Sequence, residues 1–215
     1  MKRKRKEIKI LLGIISNRDA FPEYFVKSLF ELVDYTIYSK IIADIRIFKA
    51  IEVQQMRNNC CLSAIKNNYD YVFMLDTDMT YPKDSITKLI KHNKEFVVGS
   101  ATQRNPPFYP TQYKKFKFKG FKEKENRIFI KKGDTKLMKA GGSGVVGALI
   151  KVSSLKDLKL PYFKVVYKKN GRDLIGSDIY FCNLWKKRGK NIYLDPTVNY
   201  KHQVLTFSDS FGIKI

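Results

Sequence analysis

The stretch YDYVFMLDTDMTYP, residues 69–82, passes from five apolar or aromatic positions, 71–75, into the acidic triplet Asp76, Thr77 and Asp78. A run this short, aromatic and β-branched in character and bounded by polar residues, predicts a strand buried on both faces. Because it stops at Asp76, both carboxylates stand at the carboxyl end of that strand, where open α/β sheets place their ligands. One intervening residue lets the pair face a single hard divalent cation. The same two residues also suit a turn or a helix cap, since Asp accepts backbone N–H bonds in both settings.

Upstream, strand and helix signals alternate. IKILLGII (Ile8–Ile15) predicts a fully buried first strand; Asp19 and Pro22 then open a helix to about Tyr38, polar cap before early proline, and Ile41–Phe48 reads as a second strand. Val53, Met56, Cys60 and Ala64 recur at helical spacing and mark a helix ending near Asn67 and Asn68. That alternation predicts an α/β fold with a parallel sheet and crossover helices.

Downstream, Pro82 and Lys83 start a helix to about His92, and residues 96–99 return as a fourth strand. Residues 104–110 carry three prolines, and residues 114–132 form a basic, aromatic-rich stretch suited to short antiparallel strands and loops. In AGGSGVVGALIKV, residues 140–152, glycines give way to a buried strand. Residues 177–188 read as a helix tucked under the sheet, and residues 192–194 as a last strand before DPTVNYKH.

With 215 residues and no internal repeat, the chain fits a basic tail (1–7) followed by one domain (8–215). Apolar residues at 44% exclude wholesale disorder. A net charge of +22 attracts polyanions, whether phosphorylated ligands, nucleic acid or an anionic membrane, and does not choose among them. Cys60, Cys61 and Cys182 are odd in number and lack paired spacing, so neither a disulfide framework nor a zinc site is expected and a reducing cytoplasm fits. MKRKRK before IKILLGII imitates a signal peptide, but the apolar run is short and no small-residue cleavage site follows. No run approaches the roughly 20 apolar residues of a membrane span, so any membrane contact is expected to be peripheral.

Other residues join the acidic triplet as candidates. His202, just past the last strand, can supply an imidazole to a metal, or be an ordinary surface or core histidine. Asp178 follows the Gly176 turn at a helix start, where it can cap that helix or act as a base toward a bound hydroxyl. Arg57 and Asn58 can reach a nucleotide, or form the polar face of their helix.

The order of a first βα unit, QQMRNNCCLSAIKN (54–67), YDYVFMLDTDMTYP, AGGSGVVGALIKV and GSDIYFCNLWKKRGKNIYLDPTVNYKH (176–202) resembles the GT-A-type nucleotide-sugar glycosyltransferases, especially their large inverting family, over residues 8–202. The resemblance implies a GT-A, Rossmann-like fold with a mixed, mostly parallel sheet flanked by helices, a donor-binding half, about 8–100, an acceptor-side half, about 101–215, and Mn2+ or Mg2+ as cofactor. Ser16 and Asn17 would match nucleoside-contacting positions, with Arg57 close to the nucleotide. Asp76 would contact ribose or metal-bound water, Asp78 the metal itself, with Thr77 between them in the donor site. His202 would be a late metal or diphosphate ligand, Asp178 the general base, and Gly142, Ser143 and Gly144 the lining of the sugar and acceptor cleft. Where that family usually carries Glu before the base this chain has Ser177, and Asp173 could substitute if its loop folds inward.

Two other readings compete. LDTDMT also fits the nucleophile motif of haloacid-dehalogenase-like phosphatases, with Asp76 attacking phosphorus, although there the motif normally ends the first strand. The basic 114–132 stretch, with Phe116, Phe118 and Phe121 interleaved, could instead stack nucleic-acid bases, or hold an enzyme of lipid-linked acceptors against anionic lipid. A sugar or protein acceptor is equally compatible with the glycosyltransferase resemblance.

Overall fold

Near-continuous apolar strands can be buried only if helices cover both faces of their sheet. The computed structural model, which describes residues 7–115, 126–167 and 174–204, has that arrangement. Residues 1–6 of the basic tail, Phe116, Phe118 and Phe121, and Asp173 lie outside the described residues.

The chain runs β1 (Ile8–Ile15), α1 (Glu23–Tyr38), β2 (Ile41–Phe48), α2 (Val53–Lys66), β3 (Tyr71–Asp76), β4 (Met79–Thr80), α3 (Ser85–Lys91) and β5 (Phe96–Ser100). It continues through β6 (Met138–Ala140), β7 (Ala148–Lys151), α4 (Val152–Leu155), β8 (Val166–Tyr167), β9 (Leu174–Ile175), α5 (Ser177–Lys187), β10 (Ile192–Asn199) and β11 (Lys201–His202). Seven strands form one sheet in the order β2-β1-β3-β7-β5-β10-β6. On one face Leu11, Val72, Met74 and Ile150 pack with Phe181 and Trp185 of α5 and with Cys60 and Cys61 of α2. On the other, Ile10, Leu12 and Phe73 pack with Phe25 and Leu32 of α1 and Ile86 and Leu89 of α3. Among the described residues no helix is long and apolar enough to cross a membrane.

The expected alternation of the first hundred residues is present, but the mostly parallel sheet is corrected. Three strand pairings are parallel (β1·β2, β1·β3, β5·β10) and three antiparallel (β3·β7, β5·β7, β6·β10). Two of the antiparallel pairings come from β7, which inserts between β3 and β5 in the opposite direction, and the third from β6 at the end of the sheet. Its residues Ala148, Leu149 and Ile150 are fully buried, and an apolar run looks the same in either direction. Gly147, before β7, has φ +66, and a Cβ there would fall 2.2 Å from the ring of Tyr200. The close approach requires glycine, and it carries the Tyr200 hydroxyl to the Gly147 carbonyl at 2.7 Å.

Two boundaries also differ. Asp19 does not cap α1; Pro22 occupies the cap position, and Asp19 pairs with Lys49 at 2.8 Å across the next loop. The last strand does not stop at residue 194. β10 runs on to Asn199 with its register shifted after Asp195, where a central-strand proline, Pro196, interrupts the ladder.

Candidate functional site

Parallel pairing of β1 with β3 sets Ile15 opposite Asp76, so both chains leave the sheet at one edge and their next residues meet. There the Ser16 and Thr77 hydroxyls lie 3.5 Å apart, and Ser16 also accepts the Arg18 N–H at 3.1 Å. Both hydroxyls are buried. The side-chain amide of Asn17 spans the loop before α2, donating to the Ile51 carbonyl at 3.4 Å and accepting the Ala50 N–H at 3.2 Å. These residues shape the mouth of the sheet by locking its loops.

The acidic turn is held from behind by a tyrosine that sequence reading overlooked. The Tyr81 hydroxyl accepts the Asp76 N–H at 2.8 Å and donates to the Asp76 carbonyl at 3.1 Å. Its buried ring packs against Phe73 and Tyr200, which fixes the turn rigidly on the core. Burial, with Asp76 nearby, holds this phenol well above the ordinary tyrosine range.

Immediately after the triplet, β4 pairs antiparallel with β11, with His202 opposite Met79, and the Gln203 N–H donates to the Asp78 carbonyl at 2.8 Å. This ladder carries His202 across more than a hundred residues of chain to Asp78, leaving Nε2 4.0 Å from Asp78 Oδ1. The other ring nitrogen, Nδ1, stands 2.5 Å from the Thr102 carbonyl. A carbonyl only accepts, so Nδ1 carries the proton, and in the neutral ring Nε2 presents its lone pair toward Asp78. That tautomer is the one a metal-ligating imidazole needs. Arg104, a second residue with no sequence signal beyond its place before the prolines, reaches Asp78 Oδ2 at 3.4 Å.

Arg57, expected close to a nucleotide, lies between Asp76 and Asp178. It is 6% exposed on α2, with Nη1 on Asp178 Oδ1 and Nη2 3.4 Å from Asp76 Oδ2. Burial works against its charge, but Asp178 and Asp76 outweigh it and hold the guanidinium protonated. Arg57 is therefore the cation that ties the end of β3 to the start of α5. Asn58 likewise points to structure, pairing through its amide with the backbone of Phe163.

Asp178 sits in the first turn of α5. Its Oδ1 takes Arg57 and the Ser177 hydroxyl, while Oδ2 takes the Val145 N–H at 3.4 Å. Gly144 borders it: a Cβ on Gly144 would lie 3.7 Å from Asp178 Oδ2. Gly142 and Ser143 are instead buried, Gly142 bridged to Tyr113 and Ser143 clasped by Cys182, because this segment is threaded between α5 and residues 111–113. Of the three expected cleft residues, Gly144 alone is brought to the acidic group.

Burial pushes Asp76 up to about 6; Arg57 opposes this, and the neighbouring carboxylates Asp178 and Asp78 add to it. Its Oδ1 is buried with no hydrogen-bond partner among the described residues, and so is Nε of Arg57. An orphaned buried carboxylate oxygen is costly unless something binds it. Three carboxylates, Asp76, Asp78 and Asp178, meet two guanidiniums, Arg57 and Arg104, so the acidic groups outnumber the guanidiniums by one.

The donor set can be tested against a divalent cation. Among the described residues no three of His, Cys, Asp and Glu are gathered as metal ligands. Mg2+ and its analogues, however, commonly take one or two protein groups and complete their shell with water and substrate phosphates. Asp78 with the Nε2 lone pair of His202 is such a pair, and the unsatisfied Asp76 oxygen and the excess of acidic groups favour the ion.

No protein-family model matches the chain, and no curated protein does. Among solved structures, A197 from STIV superposes with a TM-score of 0.58 at 15% identity, covering 97% of this chain and 93% of its own. Near-complete coverage of both chains means that the two share one architecture, an α/β fold of common extent.

Proposed function

We propose that this chain is a metal-dependent glycosyltransferase of GT-A type, moving a sugar from a nucleotide-diphosphate donor to an acceptor hydroxyl with inversion. The observation that carries the reading is the meeting of Asp78 with the Nε2 side of His202, beside an Asp76 oxygen without a partner, at the carboxyl ends of β1 and β3. A bound divalent cation would neutralise charge developing on the leaving diphosphate. Asp78 and His202 would hold that ion, with the Asp76 carboxylate beside them for the donor's ribose or a metal-bound water. Asp178 Oδ2 keeps a lone pair beyond its long contact with Val145, and takes the acceptor's proton beside Gly144. Arg57 positions both carboxylates and touches neither substrate in this scheme.

A melting screen of UDP-, GDP-, CMP- and dTDP-sugars, each with and without Mn2+, tests the proposal. A ligand at 100 times its Kd stabilises by about 2.7 kcal/mol, which for a chain of this size raises Tm by about 5–10 °C. One nucleotide sugar should give that rise in the presence of Mn2+ and little without it. No rise for any sugar, together with phosphate release from simple esters, would favour the phosphatase reading with Asp76 as nucleophile.

A further inference from the structure

At the end of the sheet opposite β6, among the described residues nothing pairs with the outer edge of β2. Unpaired edges are usually protected by charged side chains, Lys above all, by Pro or by a bulge. The strand IIADIRIF has no Lys, Pro or bulge; its charges are one acid and one base, Asp44 and Arg46, and Ile42, Ile45 and Ile47 are 38%, 45% and 50% exposed.

The apolar surface continues onto α1. One flank of that helix turns Tyr24 and Ser28 to the turn at Thr77 and Tyr81. The opposite flank, which lies on the β2 side, carries Val26, Phe30, Val33 and Ile37 at helical spacing, with Phe30 and Ile37 well exposed. Ile45 and Ile47 belong to this same face, because their β1 partners Leu12 and Ile14 lie in the core beneath α1.

We infer that β2 is a dimer interface, at which two copies of this chain pair their β2 strands antiparallel about a two-fold axis at Ile45. The backbone fixes which residues can meet. The Phe48 carbonyl accepts the Ser16 N–H, so even-numbered residues of β2 face β1 and residues 41, 43, 45 and 47 aim their backbone groups outward. With the axis at Ile45, Ile45 meets itself, Ala43 meets Ile47 and Ile42 meets Phe48 of the second copy. Asp44 then stands opposite Arg46, twice. Moving the axis to residue 44 or 46 sets Asp44 against Asp44 or Arg46 against Arg46, and like charges directly opposite destabilise. Charge thus favours the register centred on Ile45 over both of its neighbours, and it is the one that pairs Asp44 with Arg46. Tyr69 already holds both groups at the edge, donating to Asp44 and accepting from Arg46. The axis is perpendicular to the joined sheet, so both α1 flanks come to lie on one face of it.

Sedimentation of the full chain over a concentration series tests this, with circular dichroism to confirm folding. The wild type should run at twice the 25.1 kDa chain mass. Asp44→Arg and Arg46→Asp, each alone, should weaken dimerisation about tenfold or more, because each replaces two attractive cross-strand pairs by two repulsive ones. The double variant restores opposite charges and should restore the dimer. A wild type that stays monomeric, including one that floats with anionic vesicles as a monomer, overturns the inference. Single variants that dimerise like the wild type, or a double variant that does not recover, also overturn it.

Discussion

Replacing Asp78 with alanine is expected to remove the metal-dependent part of donor binding and to cut turnover by about 10²–10³-fold or more, the usual cost of losing a group that stabilises developing charge. The fold should survive. Asp78 is partly exposed, and its side-chain contacts are Arg104 at 3.4 Å and His202 at 4.0 Å. Exposed pairs of this kind contribute about 0–1 kcal/mol each. Titration calorimetry of donor with and without Mn2+ separates binding from stability, and Asp78→Asn, which keeps the shape and loses the charge, should fail in the same way. Unchanged metal-dependent binding in either variant would count against the assignment.

Arg57→Met is expected to act on the fold first. The substitution strands two carboxylates, Asp76 and Asp178, that share one buried cation. Breaking a buried pair by removing one partner costs about 3–5 kcal/mol, and the partial exposure of both aspartates puts the expected loss near the lower figure. Urea unfolding should show it, with Tm down by about 6–12 °C. Arg57→Lys keeps the charge but not the fork that spans both acids, so it should lose less stability. The loss should also depend on pH. Asp76, already pushed up to about 6 with Arg57 in place, rises further without it. A carboxylate whose folded pKa exceeds its unfolded value costs stability as pH rises between the two. The Asp76-linked part of the loss is therefore absent below about pH 6, where the folded carboxyl is protonated with or without Arg57, and grows as pH rises above it, where the wild-type group ionises and the variant's resists.

These two residues also mark where sequence reading succeeded and where it stopped. The strand ending at Asp76 was legible because a short aromatic run that breaks off in two acids suits a buried strand and little else, and β1, α2 and α5 fall close to their expected bounds for similar reasons. The direction of β7 was not legible, since a segment buried on both faces carries no mark of polarity. His202 was legible from its chemistry, its place after the last strand and the family resemblance; the β4·β11 ladder that brings it to Asp78 was not, being two residues long on each strand and too short to leave a periodic signal. The double pairing of Arg57 was not legible, because a guanidinium on a mostly polar helix gives no sign that two distant carboxylates will converge on it. Tyr81 and Arg104 are invisible for the same reason: their roles exist only once the turn at Asp76 has folded.

The most direct test of the central claim is the anomalous signal of manganese in crystals soaked with Mn2+ and a nucleotide-diphosphate sugar. A peak bound by the Asp78 carboxylate and Nε2 of His202, with the donor's phosphates completing its shell, is the expected result. Donor present with no manganese at that position, or Asp76 and Asp78 turned to cap backbone amides, would contradict it.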